Sequence, residues 1–92
     1  MILITGAARP ATDARDALLA AADEVAKLTH DDDGCLLYLF ATSLDGESVI
    51  SAELWRDQAA LDAHMQHDHT SRFLAAIDGL LDGAPVVQQS EI

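Results

Sequence analysis

The residues best suited to acid–base chemistry are three histidines that lie close together along the chain, His64, His67 and His69. An imidazole titrates near neutral pH, so it can remove a proton from a substrate and later return it. His64 recurs at helical spacing with Leu61 and Met65, which places it on the apolar face of a predicted helix. There it is either a hydrogen-bonded core histidine or a general base, and we take it as the candidate base.

The same histidines are also candidate metal ligands. His64 and His67 share a helix face, but a third ligand, His69, lies beyond a break in the helical pattern, and the spacing matches no established zinc motif. We therefore expect no bound metal, and we expect His67 and His69 to lie on the surface near a helix end. The run Asp31–Asp33 lacks the alternating carboxylates and the distal glutamate of a calcium loop, and it predicts a solvated turn.

A second candidate set lies on one predicted strand, where Ser51, Glu53 and Trp55 alternate and so face the same side. A carboxylate beside an indole is typical of a pocket, and burial there would raise its pKa. Alternatively, Glu53 lies at a rim and pairs with Arg72; both interpretations stay open. Cys35 is the one cysteine, so no internal disulfide can form, and its apolar surroundings indicate a buried, unreactive thiol.

The elements that must position these residues follow from the apolar periodicity. Short β-branched or apolar runs predict strands, stripes at three- and four-residue spacing predict helices, and Gly, Pro and Asp mark the turns. The resulting order is β-α-β-β-α-β with a break in the second helix, which is the ferredoxin-like α+β arrangement, in one domain over residues 1–92. The predicted elements are strands 2–8, 35–42, 48–55 and 86–92, a helix of roughly 16 residues after Thr12, and helices after Asp57 and after Thr70.

The strand from Cys35 to Phe40 is apolar on both faces. Strict alternation places Cys35 with Leu37 on one face and Tyr38 with Phe40 on the other. Because the helices of this fold cover one face of the sheet, the other would be a large exposed apolar patch. We therefore predict a homodimer that packs sheet against sheet, with a ligand pocket between the two sheets and Tyr38 at the dimer seam or the pocket wall.

Charge and composition exclude several classes of partner. The chain has 16 acidic and 5 basic residues, a formal net charge of −11, so it would repel nucleic acid and anionic lipid. No apolar run approaches the ~20 residues of a membrane span. With a single cysteine and no basic, apolar leader at the N-terminus, the sequence predicts a cytoplasmic protein that binds neither nucleic acid nor membrane.

Two stretches resemble the antibiotic biosynthesis monooxygenase family: DGCLLY at 33–38 and ELWRDQAALDAH at 53–64, followed by His69 and Phe73. The resemblance spans nearly the whole chain. It implies a ferredoxin-like fold that dimerises through its sheets as an α+β barrel. It also implies one of several activities: oxygenation of quinols or polyketide phenols without flavin or metal, degradation of haem, or acid–base processing of small sugar-derived signals.

Individual positions separate these branches. The haem branch has an asparagine in the first strand, a tryptophan at the position of His64 and a histidine near the position of Leu74. This chain has none of the three, so the resemblance does not extend to haem degradation. The polyketide branch matches at Trp55 but has asparagine and tyrosine where this chain has Ser51 and Leu61. The pair His64 and His69 is similar to the quinol-oxidising group, in which such histidines border the pocket.

The sequence and the resemblance together predict a monooxygenase that needs no cofactor and oxidises a small phenol or quinol with O2. Two alternatives are kept: a dimeric ligand-binding module without turnover, and an acid–base isomerase of a small carbonyl compound. The expected catalytic residues are His64, Trp55 and Glu53, and the expected substrate-binding residues are Tyr38, Ser51, His69, Phe73 and Leu61.

Overall fold

The computed structural model describes all 92 residues and contains four strands and three helices. The second predicted helix is divided in two, as its interrupted periodicity indicated. The element order therefore confirms the βαββαβ prediction. The elements are β1 (Ile2–Ala8), α1 (Arg15–Thr29), β2 (Cys35–Thr42), β3 (Val49–Trp55), α2 (Gln58–Met65), α3 (Asp68–Ile77) and β4 (Val86–Glu91).

The four strands form one sheet in the order β2-β3-β1-β4, and every neighbouring pair is antiparallel. This is the ferredoxin-like α+β fold. The register places Glu53 opposite Tyr38 on one side and opposite Ile4 on the other. Because directly opposed residues project to the same face, Tyr38, Glu53 and Ile4 form one row, with Ser51 and Trp55 on the same side.

The helices cover this face, which we call the covered face. Trp55 is fully buried at its centre, and the rings of Tyr38 and His64 lie against it. From α1, Val25 joins the same core cluster. The cluster consists of Ile2, Val25, Tyr38, Trp55, Ala60 and Leu61.

The break between α2 and α3 has a geometric consequence. Asp57 begins α2 by accepting a hydrogen bond from the backbone N–H of Ala60. After α2 ends, His67 adopts an extended conformation (φ −70°, ψ 145°), and α3 then begins. In one continuous helix, residues five apart such as His64 and His69 would point about 140° apart. The break lets both imidazoles turn toward the same point.

A bulge interrupts the alternation in β2. Cys35 lies opposite Trp55 and Leu37 lies opposite Leu54, with Leu36 as the extra residue between them. Cys35 therefore packs on the covered face against the core. The prediction that Cys35 shares a face with Leu37 was wrong, because alternation counts residues and cannot detect one that the ladder omits.

The opposite face of the sheet carries no helix, and we call it the uncovered face. Leu37, Leu39, Ile50 and Val86 there are each at least 40% exposed. The prediction that one apolar face lacks helices is confirmed, while its cover by a second chain stays a prediction. Tyr38 does not lie on this face: it is 5% exposed on the covered side, so of its two predicted places the dimer seam is excluded and the pocket wall remains. None of the helices is long and apolar enough to cross a lipid bilayer.

Candidate active site

A cavity of about 530 Å³ lies between the covered face and the helices of the same chain. Its sheet side includes Tyr38, Phe40 and Ser51, and Gly6 leaves space because a Cβ there would come within 2.6 Å of the Ser51 hydroxyl. We predicted that Tyr38, Ser51 and Glu53 face a space between two sheets; they line this cavity within one chain instead. The strand register turns the polar and aromatic residues of β2 and β3 toward the helices, so the cavity forms there.

The lining of this cavity is largely apolar and contains no Lys or Arg. Hydrophobic residues make up 15 of its 23 members, so a ligand would be held mainly by burial of apolar surface. Two of the lining residues carry carboxyl groups and none carries a fixed positive charge, which disfavours phosphate or carboxylate groups on a ligand. The polar lining residues besides Tyr38 are Ser51, Glu53, Gln58, Asp62, His64 and Gln89.

His64 is the best-positioned base. Its side chain is 3% exposed, and its ring centroid lies 4.5 Å from that of Trp55 and 5.5 Å from that of Tyr38. Its Nδ1 donates a hydrogen bond to Oδ2 of Asp32 at 2.9 Å, and the Thr70 hydroxyl lies 3.3 Å from the same nitrogen. Packing and hydrogen bonds together fix the orientation of the ring.

Asp32 is the functional residue that the sequence did not reveal. Its side chain is only 6% exposed, and its Oδ2 also accepts a hydrogen bond from Nε2 of His69 at 3.0 Å. The Nε2 of His67 lies 3.6 Å from Oδ1. The prediction of a solvated turn was therefore wrong for Asp32, and so was the surface placement of His69, which is 15% exposed; His67 is 45% exposed.

The backbone explains how Asp32 reaches the helices. Its N–H donates to the carbonyl of Thr29, and its own carbonyl accepts from the N–H of Cys35, so the turn is tight. Gly34 has φ +80°, and a Cβ there would lie 2.4 Å from that of Ala60 in α2. Only glycine fits this close approach, which brings the turn against α2.

The bond to Asp32 fixes the tautomer of His64. An ionised carboxylate can only accept, so the proton is on Nδ1 and the lone pair is on Nε2. This Nε2 makes no hydrogen bond within the chain. It is nevertheless reachable from the solvent, because the one fully buried side-chain polar atom that lacks a partner is Thr29 Oγ1. The basic nitrogen is therefore free on a residue that lines the cavity.

Glu53 supplies a carboxyl group to the same cavity. Its Oε1 accepts a hydrogen bond from Trp55 Nε1 at 3.0 Å. Burial raises the pKa of Glu53, and the Trp55 hydrogen bond and the nearby His64 offset part of that rise. The alternative in which Glu53 pairs with Arg72 was wrong, because Arg72 pairs with Glu24 at 3.1 Å.

Two further groups are held in their neutral forms. Burial, together with the charge of Glu53, raises the pKa of the Tyr38 phenol, so its hydroxyl remains a hydrogen-bond donor. Burial also raises the pKa of the Cys35 thiol, and the nearby Asp32 and Glu53 act in the same direction. A thiolate is thus disfavoured at Cys35, which agrees with the predicted unreactive thiol.

Six of the eight site residues predicted from the sequence line one cavity. Trp55, which we expected among the catalytic residues, does not, because it is fully buried behind His64 and so cannot touch a ligand in the cavity. His69 does not line it either, because its ring is directed to Asp32. Asp32 carried no sequence signal, since its partners lie 32 and 37 residues away. The six are Tyr38, Ser51, Glu53, Leu61, His64 and Phe73.

The chain is therefore a small ferredoxin-like α+β domain. It has an apolar cavity between its sheet and its helices, and a buried histidine lies at the cavity wall. The family is identified by sequence: the family model for antibiotic biosynthesis monooxygenase matches residues 1–76. The chain is a member of that family.

Individual relatives agree with this assignment. A Mycobacterium tuberculosis protein described as "Putative monooxygenase Rv0793" is 36% identical over 72 residues, which cover 78% of this chain and 71% of the relative. The solved structure of Rv0793 superposes with a TM-score of 0.94 at 30% identity, covering 99% of this chain and 93% of that one. A Deinococcus radiodurans structure described as a "putative antibiotic biosynthesis monooxygenase" has a TM-score of 0.90 at 21% identity, covering 100% and 92%, and supports the fold alone.

Proposed function

We propose that this chain is a cofactor-independent monooxygenase that oxidises a small, uncharged quinol or phenol with O2. For a quinol, one oxygen atom replaces a ring hydrogen as a hydroxyl group and the other leaves as water. The four electrons that reduce O2 come from the substrate, two from oxidation of quinol to quinone and two from conversion of C–H to C–OH. No external reductant is needed.

The observation that carries this proposal is the free Nε2 of His64 on the wall of an apolar cavity. His64 takes the proton from a substrate hydroxyl, and the resulting anion transfers an electron to O2 far more readily than the neutral quinol. Asp32 keeps the lone pair on Nε2 and stabilises the imidazolium that forms, so it acts as a positioning residue. The apolar walls keep water away from the reduced oxygen species.

The other polar groups of the cavity orient the substrate. Tyr38 and Ser51 offer hydroxyl groups that bond to no other group of the chain. Glu53 has a raised pKa, so its carboxyl group is the natural proton donor to the oxygen that leaves as water. Phe73 and Leu61 pack against the aromatic ring.

The charge of the lining defines the substrate class. Glu53 and Asp62 are the acidic groups, and no lysine or arginine balances them. A substrate with a carboxylate, sulfonate or phosphate would lose its hydration without gaining a cationic partner. Uncharged hydroquinones, naphthols and related phenols therefore fit best.

We further propose that the chain is a homodimer through its uncovered face. Leu37, Leu39 and Ile50 form an exposed apolar surface there, on a sheet that already has helices on its other side. Sheet-to-sheet packing would bury this surface at a spacing of about 10 Å. The cavity is complete within one chain, so each protomer would carry its own site.

An isomerase of a small carbonyl compound is the alternative that the geometry also favours. Such an enzyme needs a base and an acid on one cavity, and His64 and Glu53 provide this pair. It would need no oxygen. A binding module without turnover would use the same cavity but would not depend on the proton affinity of His64.

Oxygen uptake by EDTA-treated protein tests the proposal directly. A panel of uncharged quinols, with carboxylated and sulfonated analogues, would be assayed in an oxygen electrode against autoxidation controls. We expect uptake with the uncharged members and at least about tenfold lower kcat/KM with the charged ones. His64→Gln should lower kcat by about 10²–10⁴-fold, the usual contribution of a general base.

The matched control is His67→Gln, which removes an exposed imidazole of the same segment and should leave kcat within twofold. If no quinol gives uptake above autoxidation and His64→Gln behaves as the native chain, the oxygenase proposal fails. Turnover of a carbonyl compound under nitrogen would establish the isomerase instead. Ligand binding that His64→Gln leaves intact, without turnover in either form, would establish the binding module.

A further inference from the structure

The buried carboxylate of Asp32 has no fixed positive charge beside it. Its side chain is 6% exposed, and the groups that contact it are the imidazoles of His64, His67 and His69. The five basic side chains of the protein bond elsewhere: Arg9 to Glu47, Arg15 to the carbonyl of Gly46, Lys27 to Asp23, Arg56 to Asp33 and Asp57, and Arg72 to Glu24. A buried carboxylate surrounded by imidazoles attracts either a proton or a metal cation.

The donor atoms have spacings that suit a metal ion. Nδ1 of His64 and Nε2 of His69 lie 2.9 and 3.0 Å from Oδ2 of Asp32, and all three atoms lie within 4.8 Å of one another. Donors about 2.1 Å from a metal, at angles of about 90–109°, are about 3.0–3.4 Å apart. The two distances to Oδ2 match this spacing, whereas the two imidazole nitrogens, at up to 4.8 Å, must move toward each other by as much as about 1.5 Å when an ion replaces the hydrogen-bonded protons.

We propose that Asp32, His64 and His69 form a binding site for a divalent transition metal ion, with Zn²⁺ as the best-fitting representative. Two imidazole nitrogens and one carboxylate oxygen are a donor set that Zn²⁺ and its first-row neighbours favour over Ca²⁺ or Mg²⁺. The acidic surface of the protein, at net charge −11, would attract cations generally.

The proposed ion would lie behind His64, away from the substrate. His64 lines the large cavity, but Asp32 and His69 do not. His69 instead lines a second groove between α1 and α3, together with Glu24, Arg72 and Phe73. An ion could enter through this groove without passing the cavity, and it would not contact a substrate bound there.

The consequence for catalysis follows from the tautomers of imidazole. A metal on Nδ1 requires that nitrogen to be unprotonated, so the ring proton moves to Nε2. The nitrogen free at the cavity would change from a base to a hydrogen-bond donor. Metal binding would therefore switch off proton abstraction by His64, and this part of the inference rests on the proposed function.

Direct binding measurements test the site without any assay of activity. EDTA-stripped protein would be titrated with Zn²⁺ by calorimetry and with Co²⁺ by visible absorption. We expect saturable binding of one ion per chain, and visible bands in the Co²⁺ complex. His69→Gln and Asp32→Asn should each weaken Zn²⁺ binding at least about tenfold, whereas His67→Gln, which alters an exposed neighbour, should weaken it less than threefold.

Histidine NMR of the native chain covers the case in which a variant does not fold. Stoichiometric Zn²⁺ should shift the ring nitrogen signals of His64 and His69 and leave those of His30, whose Nε2 donates to the carbonyl of Tyr38, unchanged. Absence of saturable binding, or shifts confined to His67, would overturn the proposed site. If the ion binds as expected but quinol turnover is absent with and without it, the site stands and the oxygenase proposal fails.

Discussion

The two faces of the sheet are built from the same strands and yet have opposite characters. On the covered face, Tyr38, Ser51 and Glu53 line a largely apolar cavity. On the uncovered face, the neighbouring residues Leu37, Leu39 and Ile50 are exposed and carry no titratable group. Alternation along the strands therefore separates the candidate active site from the proposed dimer interface.

This contrast shows which kinds of substitution each face should tolerate. The covered face carries the closely packed core, so truncation of a core ring there should lower the free energy of unfolding directly. The uncovered face is the proposed dimer interface, so its substitutions should act on association. Three experiments on single residues can break or sharpen this distinction.

The largest expected effect comes from a matched pair of truncations in β2. Tyr38 is 5% exposed and packs against the rings of Phe40, Trp55 and His64, so Tyr38→Ala should lower the free energy of unfolding by about 3–5 kcal/mol. Leu39→Ala, at a 41% exposed position, should cost less than about 1 kcal/mol in dilute protein. Urea denaturation at low protein concentration measures both. Equal losses would show that the two faces are not distinct.

An intermediate effect is expected from a charge on the uncovered face. Leu39→Lys should weaken self-association at least about 100-fold, because two buried ammonium groups would face an apolar surface. Sedimentation velocity over a concentration series measures it. The control is Leu44→Lys in the β2–β3 hairpin, where the native side chain is fully exposed and should contribute nothing to the interface. If the native chain sediments as a monomer at every concentration, the proposed homodimer is excluded.

The smallest effect is expected from Glu53→Gln on the covered face. Burial raises the pKa of Glu53 in the folded chain, so the folded state favours the protonated form and loses stability as pH rises from the ordinary glutamate range through the raised value. Glutamine keeps an acceptor for Trp55 and avoids this loss. We expect Tm to rise by about 2–4 °C at pH 7, about 0.5 kcal/mol, and the difference to vanish in acid, below the ordinary glutamate pKa.

Calorimetry of metal-free protein between pH 3.5 and 8 would follow that difference. A Glu53→Gln variant that is less stable than the native chain at neutral pH would indicate that the carboxylate is stabilised by its surroundings, contrary to the direction of the pKa shift. Gln89→Glu, at an exposed position of β4 on the same cavity, is a suitable control and should change Tm little at any pH.

The sequence was informative where local pattern decides the structure. Apolar periodicity predicted the strands and the order βαββαβ, and the irregularity around His67 predicted the division of the second helix, because these depend on neighbouring residues alone. The alternation of Ser51 and Glu53 also placed both on one cavity. These features need no knowledge of distant contacts.

The sequence was uninformative where function depends on distant contacts. Asp32 reads as one of three aspartates in a turn, and only the close approach at Gly34 and the break between α2 and α3 bring it to His64 and His69. The face of the sheet on which the cavity forms could not be predicted either, because alternation assigns residues to two faces but does not indicate which face the helices cover. Trp55 was misplaced because its burial depends on the rings of Tyr38 and His64, which pack against it from other elements.

The bulge at Leu36 has a consequence for changes in chain length. A strand has a two-residue phase, and a single inserted or deleted residue reverses that phase for everything beyond it. Leu36 is the one residue of β2 that the pairing omits. Cys35 therefore lies opposite Trp55 and Tyr38 lies opposite Glu53, so both project to the covered face, and the turn that holds Asp32 begins from that position. A natural variant that lacks this residue would pair Cys35 with Trp55 and Leu37 with Leu54 in a regular ladder. The turn that holds Asp32 would then keep its phase without a second change, so a deletion at Leu36 should be tolerated where a deletion elsewhere in β2 is not.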